Sequence, residues 1–383
     1  MIICGYSRVK DEADIIESFC RYHLTFLDAM AIWDDCSSDR TVEIIQSLID
    51  EGLPIDLIHL DKNEQILNDY DLNEINQMHK RCLYIFDRHS ADWVVPLDAD
   101  EFLFCEDGTN PRLRLEKLDE HVEHLFPWRT GIFCCDPVDS NIFLPNYFKE
   151  YRDPSLECLK VIISRSLAQE GGAFLGPGKH RLLFHSVVKT GYRPPVIKHT
   201  QLALAHFPIR SLGHALSKVI CWQMRNLSVD GTKPFHYQRI YDDIILDGNN
   251  ISVEKIRQFS LEYSLTPEQI SKSIKTISQP YGVLRADFLQ DELRLLYTDY
   301  NDRNYLRMII IFIEQLVLKL KNDAVHMKNE NEHLKAENEH LKTETTKILQ
   351  EMNKVVEDLC QANHDLTEQV NTLSHPDQSA ELK

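Results

Sequence analysis

The first 110 residues alternate between short β-like runs and amphipathic stretches, and this alternation constrains the fold more than any other feature. The β-like runs cover residues 2–6, 29–33, 55–60 and 92–97, and apolar residues recur at helical spacing over residues 11–27, 41–49 and 73–89. Strands separated by single helices pair in parallel, so we predict an α/β fold with helices flanking the sheet. Ligands of such sheets bind beyond the carboxyl ends of the strands, where we look for functional residues.

The middle of the chain is less regular. We predict strands at residues 131–135, 159–164, 181–188 and 201–206, with a Gly/Pro-rich loop at 171–178. Helical patterns follow at residues 211–227, 252–263 and 266–277. We therefore divide the chain into an α/β unit (residues 1–220), a helical extension (221–305), a coiled coil (306–373) and a disordered tail (374–383).

Heptads dominate the last sixty residues. One series of positions, spaced by seven, holds Met327, Leu334, Leu341, Ile348 and Val355. A second series, four residues later, holds Asn331, Asn338, Thr345, Met352, Leu359, Leu366 and Leu373. This spacing predicts a coiled coil, and asparagine in the second series favours a parallel homodimer. The alternative is a long solvated helix docked on its own domain.

The charge balance narrows the function. Lys plus Arg number 42 against 60 Asp plus Glu, for a net charge of −18. An acidic chain lacks the basic footprint of a general nucleic-acid binder, so we expect no nucleic-acid partner. Ten cysteines without a CxxC pair argue against a zinc ribbon and favour buried, reduced thiols.

Hydrophobic patterning gives no sign of export or of a membrane span. The N-terminus lacks the pattern of a signal peptide, and the longest apolar run, residues 308–313, is far shorter than a bilayer span. We therefore expect a cytoplasmic protein. We expect residues 308–313 to pack on the α/β unit; the alternatives are the start of the coiled coil and a peripheral contact with a membrane.

The sharpest local feature is the acidic end of the fourth predicted strand. An apolar run leads into Asp98-Ala99-Asp100-Glu101, and alternation puts Asp98 and Asp100 on one side if the chain stays extended. Two such carboxylates suit Mg²⁺ or Mn²⁺, which can bridge a diphosphate. The alternative is an acidic turn that caps a following helix.

A second acidic segment follows the second predicted strand. Asp34 and Asp35 stand at its end, before a Ser/Asp/Thr-rich turn. Carboxylates here can accept hydrogen bonds from a ribose hydroxyl or a base N–H. The alternative is simple helix capping by Ser38 or Asp39.

A charged segment follows the first predicted strand. Arg8 and Lys10 could contact a phosphate, and Glu12 a base edge. The alternative is a charged strand-to-helix loop without a ligand.

Together the three segments resemble the glycosyltransferase family 2-like group, which has a GT-A fold. The matching motifs are Lys10-Asp11-Glu12-Ala13, Asp34-Asp35-Cys36-Ser37-Ser38-Asp39-Arg40-Thr41 and Asp98-Ala99-Asp100-Glu101-Phe102-Leu103. Their order and spacing fit the group, and fainter likeness extends to residues 159–162 and 206–211. The sequence departs from the group at Cys36 and Arg40, where glycine is usual. The resemblance covers about residues 1–220 and does not include the heptads.

The resemblance implies a mixed, Rossmann-like sheet and the transfer of a hexose from a nucleoside diphosphate sugar, with inversion. It implies Mn²⁺ or Mg²⁺ and an acceptor that is a glycan, a lipid-linked group or a protein. Carried onto this chain, Asp98 and Asp100 would lie by the diphosphate and the metal, with His206 as a third ligand. The other implied donor contacts are Arg8, Lys10, Glu12, Asp34, Asp35 and Arg210.

Inverting transfer needs a general base near the acceptor hydroxyl. Asp136, after the strand predicted at 131–135, and Glu101 are the candidates. Two rival functions remain. One is a scaffold that has lost activity and acts through its coiled coil; the other is a nucleotidyltransferase, which should carry a Gly-rich phosphate loop, whereas only Gly5 occurs near the first strand.

Overall fold

The computed structural model describes residues 1–60, 72–133, 143, 151–152, 158–170, 172–184, 193–215, 218–219, 252–263, 265, 268–270, 288–289, 293, 295–299 and 302–374. The chain divides into two compact units, Met1–Glu314 and Gln315–Lys383. The predicted boundaries at residues 220 and 305 stay predictions, because most of residues 221–301 lies outside the described part.

The first unit opens with the predicted alternation of strands and helices. Its elements are β1 (Ile3–Val9), α1 (Ile16–His23), β2 (Ala29–Asp34), α2 (Thr41–Asp50), β3 (Ile55–His59), α3 (Leu72–His89) and β4 (Trp93–Pro96). Every strand and helix predicted in this part is confirmed. The largest shift is at α1, which begins five residues later than predicted, because Asp11 adopts a left-handed backbone (φ 55°) and residues 12–15 form turns.

The rest of the unit adds short strands and helices. They are β5 (Glu101–Cys105), α4 (Arg112–Leu115), β6 (Glu123–Thr130), β7 (Leu159–Ser164), α5 (Arg165–Gln169), β8 (Ala173–Leu175), β9 (Leu182–Phe184), β10 (Val196–Lys198), β11 (Leu202–His206) and α6 (Val253–Glu262). The strands predicted at 159–164 and 201–206 and the helix predicted at 252–263 are confirmed. The helix predicted at 266–277 falls largely outside the described residues.

Two predictions in this region are wrong. The strand in this region is β6, which ends at Thr130, before the strand predicted at 131–135. The polar residues at the start of β6 and its internal proline do not match the pattern of a strand in the sequence. After β4 the chain does not stay extended and does not cap a helix: it makes a turn at Asp98–Glu101 and enters β5.

Nine of the described strands form one mixed sheet. Eight lie in the order β3-β2-β1-β4-β7-β6-β11-β5, and β10 pairs with β6. Neighbours among β3, β2, β1 and β4 are parallel, whereas β7 runs antiparallel to both β4 and β6. Because β2 and β3 lie on one side of β1 and β4 on the other, the strand order reverses between β1 and β4. Ligands of open α/β sheets bind at such a switch point.

Helices cover both faces of the parallel part. Side chains of α1 and α2 join one buried apolar cluster and those of α3 another. Alternate residues of β1 feed the two clusters: Ile3 enters the first, while Cys4 and Tyr6 enter the second. A strand that is buried on both faces is rigid, so its carboxyl end is a firm support for a site.

The described thiols and helices bear on two further predictions. Cys4, Cys20, Cys36, Cys82, Cys105 and Cys158 are free thiols. Among the described helices, none combines the length and the apolar character that crossing a bilayer requires.

The second unit is helical over its described part. The helix α7 spans Asp302–Ser374, so it begins in the first unit, and it confirms a long helix where the heptads lie. Met327, Leu334, Leu341, Ile348 and Val355 are 53–62% exposed along it. The coiled coil itself stays a prediction.

Candidate active site

Polar side chains converge where β1, β2 and β4 end. Lys10 and Glu12 follow β1, Asp35 follows β2, and Asp98 and Asp100 follow β4. These strands are parallel, so their carboxyl ends meet at one edge of the sheet, at the reversal of strand order. Three segments that are distant in sequence thus share one site.

The loops after β1 and β2 are fastened together by the two acidic motifs. Asp11 Oδ1 accepts hydrogen bonds from the backbone N–H of Ser38 (2.5 Å) and from its hydroxyl (3.0 Å). In return, Glu12 N–H donates to Thr41 Oγ1 at 2.7 Å, and Ala13 N–H donates to Asp39 Oδ2 at 3.0 Å. Asp11, Ser38, Asp39 and Thr41 therefore hold the loops in register, which explains the spacing of both motifs without a ligand.

Arg8 and Asp35 form an ion pair at the rim of the site. Arg8 Nη2 lies 2.6 Å from Asp35 Oδ2, and Lys10 Nζ donates to the Asp35 carbonyl oxygen at 3.1 Å. Asp34, one residue earlier, is 3% exposed and accepts from Ser37 N–H at 3.1 Å. Asp35 therefore faces the site, whereas Asp34 shapes the turn.

Asp98 and Glu101 close the turn that follows β4. Glu101 N–H donates to the Asp98 carbonyl oxygen (2.9 Å), and Asp98 N–H donates to Glu101 Oε2 (2.8 Å). Glu101 is completely buried, and its Oε1 accepts from Trp128 Nε1–H at 2.8 Å and lies 3.0 Å from Lys160 Nζ. Both Glu101 oxygens are thus engaged in holding the turn.

Two lysines form ion pairs with the Asp98 carboxylate. Lys179 Nζ donates to Oδ1 at 2.6 Å, and Lys160 Nζ donates to Oδ2 at 2.9 Å. Both lysines are buried, at 7% and 2% exposure. Desolvation would raise the pKa of Asp98, but the two ammonium groups hold that pKa well below its usual range. Asp98 is therefore a carboxylate anion between two cations.

Asp100 faces a different set of groups. Its Oδ2 lies 3.6 Å from Lys218 Nζ, 3.7 Å from His206 Nε2 and 3.9 Å from Arg210 Nη1. The His206 ring stacks on Trp128 with 4.2 Å between ring centroids. Burial lowers the pKa of His206 to about 3, so its imidazole is neutral at pH 7.

Arg210 ties the late part of the unit to the first loop. Its guanidinium forks onto Asp14 (2.7 and 2.9 Å) and reaches Glu12 Oε2 at 2.6 Å. Arg210 is 1% exposed, and Glu12 lines the site beside it. Burial raises the pKa of Glu12 to about 8, although Arg210 opposes this shift. The arginine thus fixes Glu12 in place.

These groups surround a cavity of about 390 Å³, which is within the range of small-molecule sites. Its lining is Tyr6, Arg8, Val9, Lys10, Glu12, Asp35, Met78, Asp98, Ala99, Asp100, Trp128, Gly178, Lys179, His206, Lys218 and Tyr263. Four cationic side chains (Arg8, Lys10, Lys179, Lys218) thus face four carboxyl groups around one opening.

The side chains present do not fit the divalent cation that the resemblance implies. Both Asp98 oxygens already accept from ammonium groups, and one Asp100 oxygen lies within 4 Å of two further cations. In the described part of the chain, no three His, Cys, Asp or Glu side chains are grouped so that they could hold a metal. The expected set Asp98, Asp100 and His206 therefore lacks the anionic character that Mg²⁺ or Mn²⁺ requires.

Most of the site residues predicted from the sequence lie at this cavity. Of the residues predicted from the sequence, seven line the cavity: Arg8, Lys10, Glu12, Asp35, Asp98, Asp100 and His206. Asp34, Glu101 and Arg210 lie behind that lining, and Asp136 lies outside the described residues.

The lysines that face Asp98 belong to none of the sequence motifs. Lys160 sits inside an otherwise apolar strand, which is itself a signal, because a buried lysine needs a counter-ion. Lys179 ends a Gly/Pro-rich loop and gives no signal of its own. Trp128 and Tyr263 were missed as well, because neither belongs to a recognisable motif.

No protein-family model and no curated protein matches the sequence. Solved structures are similar at a low level. TarS 1–349 of S. aureus in complex with UDP shares 15% identity over 72% of this chain and 79% of that chain, with a TM-score of 0.31. The mannosyltransferase PcManGT of Pyrobaculum calidifontis, in complex with GDP-Man and Mn²⁺, shares 14% over 83% and 86%, with a TM-score of 0.33. GalNAc-T7 with UDP, GalNAc and Mn²⁺ shares 10% over 72% and 57%, with a TM-score of 0.31. Similarity this low carries no argument about function, so the following proposal is based on the residues of this chain.

Proposed function

We propose that this chain is a glycosyltransferase that moves a sugar from a nucleoside diphosphate sugar to an acceptor hydroxyl. One observation carries the proposal: the three motif segments meet around one cavity at the switch point of the sheet. Arg8, Lys10, Glu12 and Asp35 would hold the nucleoside at the rim, and the Asp98–Asp100 turn would lie by the diphosphate.

We propose the chemistry that the family resemblance implies, which is inversion at the anomeric carbon. The acceptor oxygen forms a bond to that carbon while the bond from the carbon to the diphosphate oxygen breaks. The hydroxyl proton passes to a base, and the nucleoside diphosphate leaves. We leave a divalent cation out of this proposal, because the side chains around Asp98 and Asp100 do not fit one.

The proposed reaction needs a base that accepts the proton of the acceptor hydroxyl. Asp136 stays our candidate, although it lies outside the described residues. We assign Glu101 a positioning role instead, because both its oxygens are engaged and it is completely buried. It would hold the turn on which Asp98 and Asp100 stand.

We also propose that α7 forms a parallel homodimer. Its exposed apolar series is too long to leave in water on a single helix without a partner. For residues 308–313, peripheral contact with a membrane remains an alternative, since their side chains, except that of Ile313, lie outside the described part. We propose that the acceptor hydroxyl belongs to a glycan, a lipid-linked group or a protein.

The test is release of nucleoside diphosphate from a panel of nucleotide sugars, measured with and without simple sugar acceptors. We expect at least one donor to be turned over. Asp98→Asn should lower that rate by about a hundredfold, because Lys160 and Lys179 lose the anion that orients them. Asp107→Asn, at an exposed ion pair with Arg114, is the matched control and should leave the rate unchanged.

The opposite result favours the other candidate, a scaffold without activity that works through α7. No donor turnover, together with no binding of any nucleoside diphosphate, would exclude the transferase. The observation that favours a scaffold is the exposed apolar series on α7.

A further inference from the structure

Lys179 reaches the cavity because of the backbone around it. Gly178 and Lys179 both have left-handed φ angles, 64° and 60°. A Cβ on Gly178 would lie 2.6 Å from the His180 ring, and the positive φ also disfavours a larger residue, so glycine suits this turn. This turn aims Lys179 inward, where its Nζ lies 3.3 Å from the Leu97 carbonyl oxygen and 5.2 Å from the centre of the Tyr6 ring.

The ammonium group of Lys179 has a donor to spare for a ligand. It carries three N–H bonds, of which the described residues take two: one goes to Asp98 and one to Leu97. Asp98 in turn is shared with Lys160, so one carboxylate serves two cations. A further anion at this position would be attracted rather than repelled.

Lys218 stands on the other side of the turn. Its Nζ lies 3.6 Å from Asp100 Oδ2 and 5.8 Å from the centre of the Tyr263 ring, and its side chain lines the cavity. Lys179 and Lys218 therefore flank the Asp98-Ala99-Asp100 segment from different elements. Ammonium groups are common partners of phosphate oxygens, and two of them can neutralise the charge of a diphosphate.

We propose that the chain holds the diphosphate of its donor with the ammonium groups of Lys179 and Lys218 and needs no divalent cation to bind it. This inference rests on the proposed function. It differs from what the acidic motif alone implies. The reason is that the carboxylates of Asp98 and Asp100 lie close to lysine ammonium groups and orient them. Lys160 acts behind them as a positioning residue, since its Nζ contacts Asp98 and Glu101 and it does not line the cavity.

The first experiment uses the full chain and isothermal titration calorimetry with UDP, GDP, ADP, CDP and dTDP. Each titration is run with EDTA and again with MnCl₂ or MgCl₂. We expect at least one nucleoside diphosphate to bind in EDTA with an affinity within about threefold of that with metal, which corresponds to less than 1 kcal/mol. Binding that requires the metal would overturn this inference and leave the proposed function standing. Failure of all five to bind in either buffer would overturn both.

The second experiment tests the two lysines. Lys179→Met and Lys218→Met keep the length of the side chain and remove its charge. In EDTA each should weaken nucleoside diphosphate binding by about tenfold or more, the usual effect of losing a hydrogen bond to a charged group. Binding of the corresponding nucleoside should change little, because the lysines face the phosphates.

Two controls keep the second experiment decisive. Lys198→Met removes an exposed lysine from β10 and should not change binding. Lys179→Arg restores a cation and should recover part of the affinity. Circular dichroism checks that each variant is folded. If Lys179→Met does not fold, Lys218→Met, whose parent side chain is 27% exposed, carries the test alone. Unchanged affinity in the folded variants would overturn the assignment of the lysines.

Discussion

Arg210 joins two loops that lie almost two hundred residues apart. It is 1% exposed, and its partner Asp14 is 4% exposed, so removing the guanidinium leaves a buried carboxylate without its main counter-ion. We expect Arg210→Met to lower the free energy of unfolding by about 3–5 kcal/mol. Urea denaturation followed by circular dichroism measures the loss.

The matched control for Arg210 is an arginine at an exposed ion pair. Arg40 lies 3.2 Å from Glu43, and both side chains are at least half exposed. Because water screens such a pair, Arg40→Met should cost less than about 1 kcal/mol. Equal losses in the two variants would show that the Arg210 fork is not a buried ion pair in solution.

His23 makes stability depend on pH. Its Nδ1 lies 2.8 Å from the Phe19 carbonyl oxygen, and its Nε2 accepts from Leu103 N–H at 3.2 Å, so the folded state holds a neutral ring. Burial lowers its pKa from 6.5 to about 3. On unfolding the ring regains its ordinary pKa and takes up a proton, so its contribution to stability is complete above pH 6.5 and shrinks as the pH falls towards 3.

This linkage predicts a difference between variants. Between pH 7 and pH 5, the unfolding free energy should fall by about 2 kcal/mol less in His23→Leu than in the parent chain. His121→Gln is the control, since that side chain is 66% exposed. Denaturant titrations at the two pH values give the comparison, and identical pH dependence in the parent and His23→Leu would contradict a neutral buried ring.

The residues of the site were only partly predictable, and the reason is physical. Asp35, Asp98 and Asp100 follow apolar runs, so the alternation of strands and helices places them at the carboxyl ends of parallel strands from the sequence alone. Lys179 reaches the same cavity through a turn with two left-handed residues and a contact with Asp98, which lies 81 residues earlier in the chain. No local pattern encodes such a meeting of loops.

At the scale of elements, Glu17 on α1 fastens a distant segment. The carboxylate is completely buried and accepts from the backbone N–H groups of Leu296, Tyr297 and Thr298 at 2.7–2.8 Å. Arg21, one turn later, balances its charge at 3.0 Å. Three amides thus depend on one side chain for their hydrogen bonds.

We expect Glu17→Gln to release this segment. A neutral amide offers one acceptor oxygen and no charge, so the amides of residues 296–298 should exchange with deuterium about tenfold faster or more. Hydrogen exchange by mass spectrometry, on a peptide that covers residues 295–299, measures the effect. Glu43→Gln, at a 72% exposed site on α2, should leave the exchange unchanged. Unaltered protection in Glu17→Gln would mean that other contacts hold the segment.

The elements themselves divide into predictable and unpredictable sets. Residues 1–97 alternate cleanly because β1, β2 and β4 are buried on both faces whereas α2 buries one face, so their hydrophobic periods differ. β8 and β10 are three residues long and carry no period, whereas β9 lies within the strand predicted at 181–188, of which residues 185–188 fall outside the described part. β6 was not predicted because Glu123, His124 and Pro127 interrupt its apolar pattern. In the fold, Glu123 accepts a hydrogen bond from Leu182 N–H, and His124 Nε2 lies 2.9 Å from the Asp119 carbonyl oxygen.

At the scale of the whole molecule, the proposed dimerisation through α7 can be tested by measuring the mass of the protein in solution. Leu341, in the first heptad series, is 53% exposed on a single helix. We expect the full chain to be a dimer and Leu341→Lys to dissociate it, because a lysine in that seam buries its charge. Light scattering after size exclusion gives the mass. Thr343→Lys, two positions along on the outer face, is the control and should remain dimeric; a monomeric parent chain would end the dimer hypothesis.

The charges beside the seam test whether the two helices are parallel. Glu330 and Glu337 precede the second series by one residue, and Lys335 and Lys342 follow the first series by one. In a parallel dimer each glutamate faces the lysine five residues later on the partner helix, whereas an antiparallel pair would bring glutamates together. We expect Glu337→Lys and Lys342→Glu each to lower the melting temperature of the dimer and the double variant to restore most of it. Additive losses in the double variant would show that the two positions do not face each other, which would leave the parallel arrangement without its charge pairing.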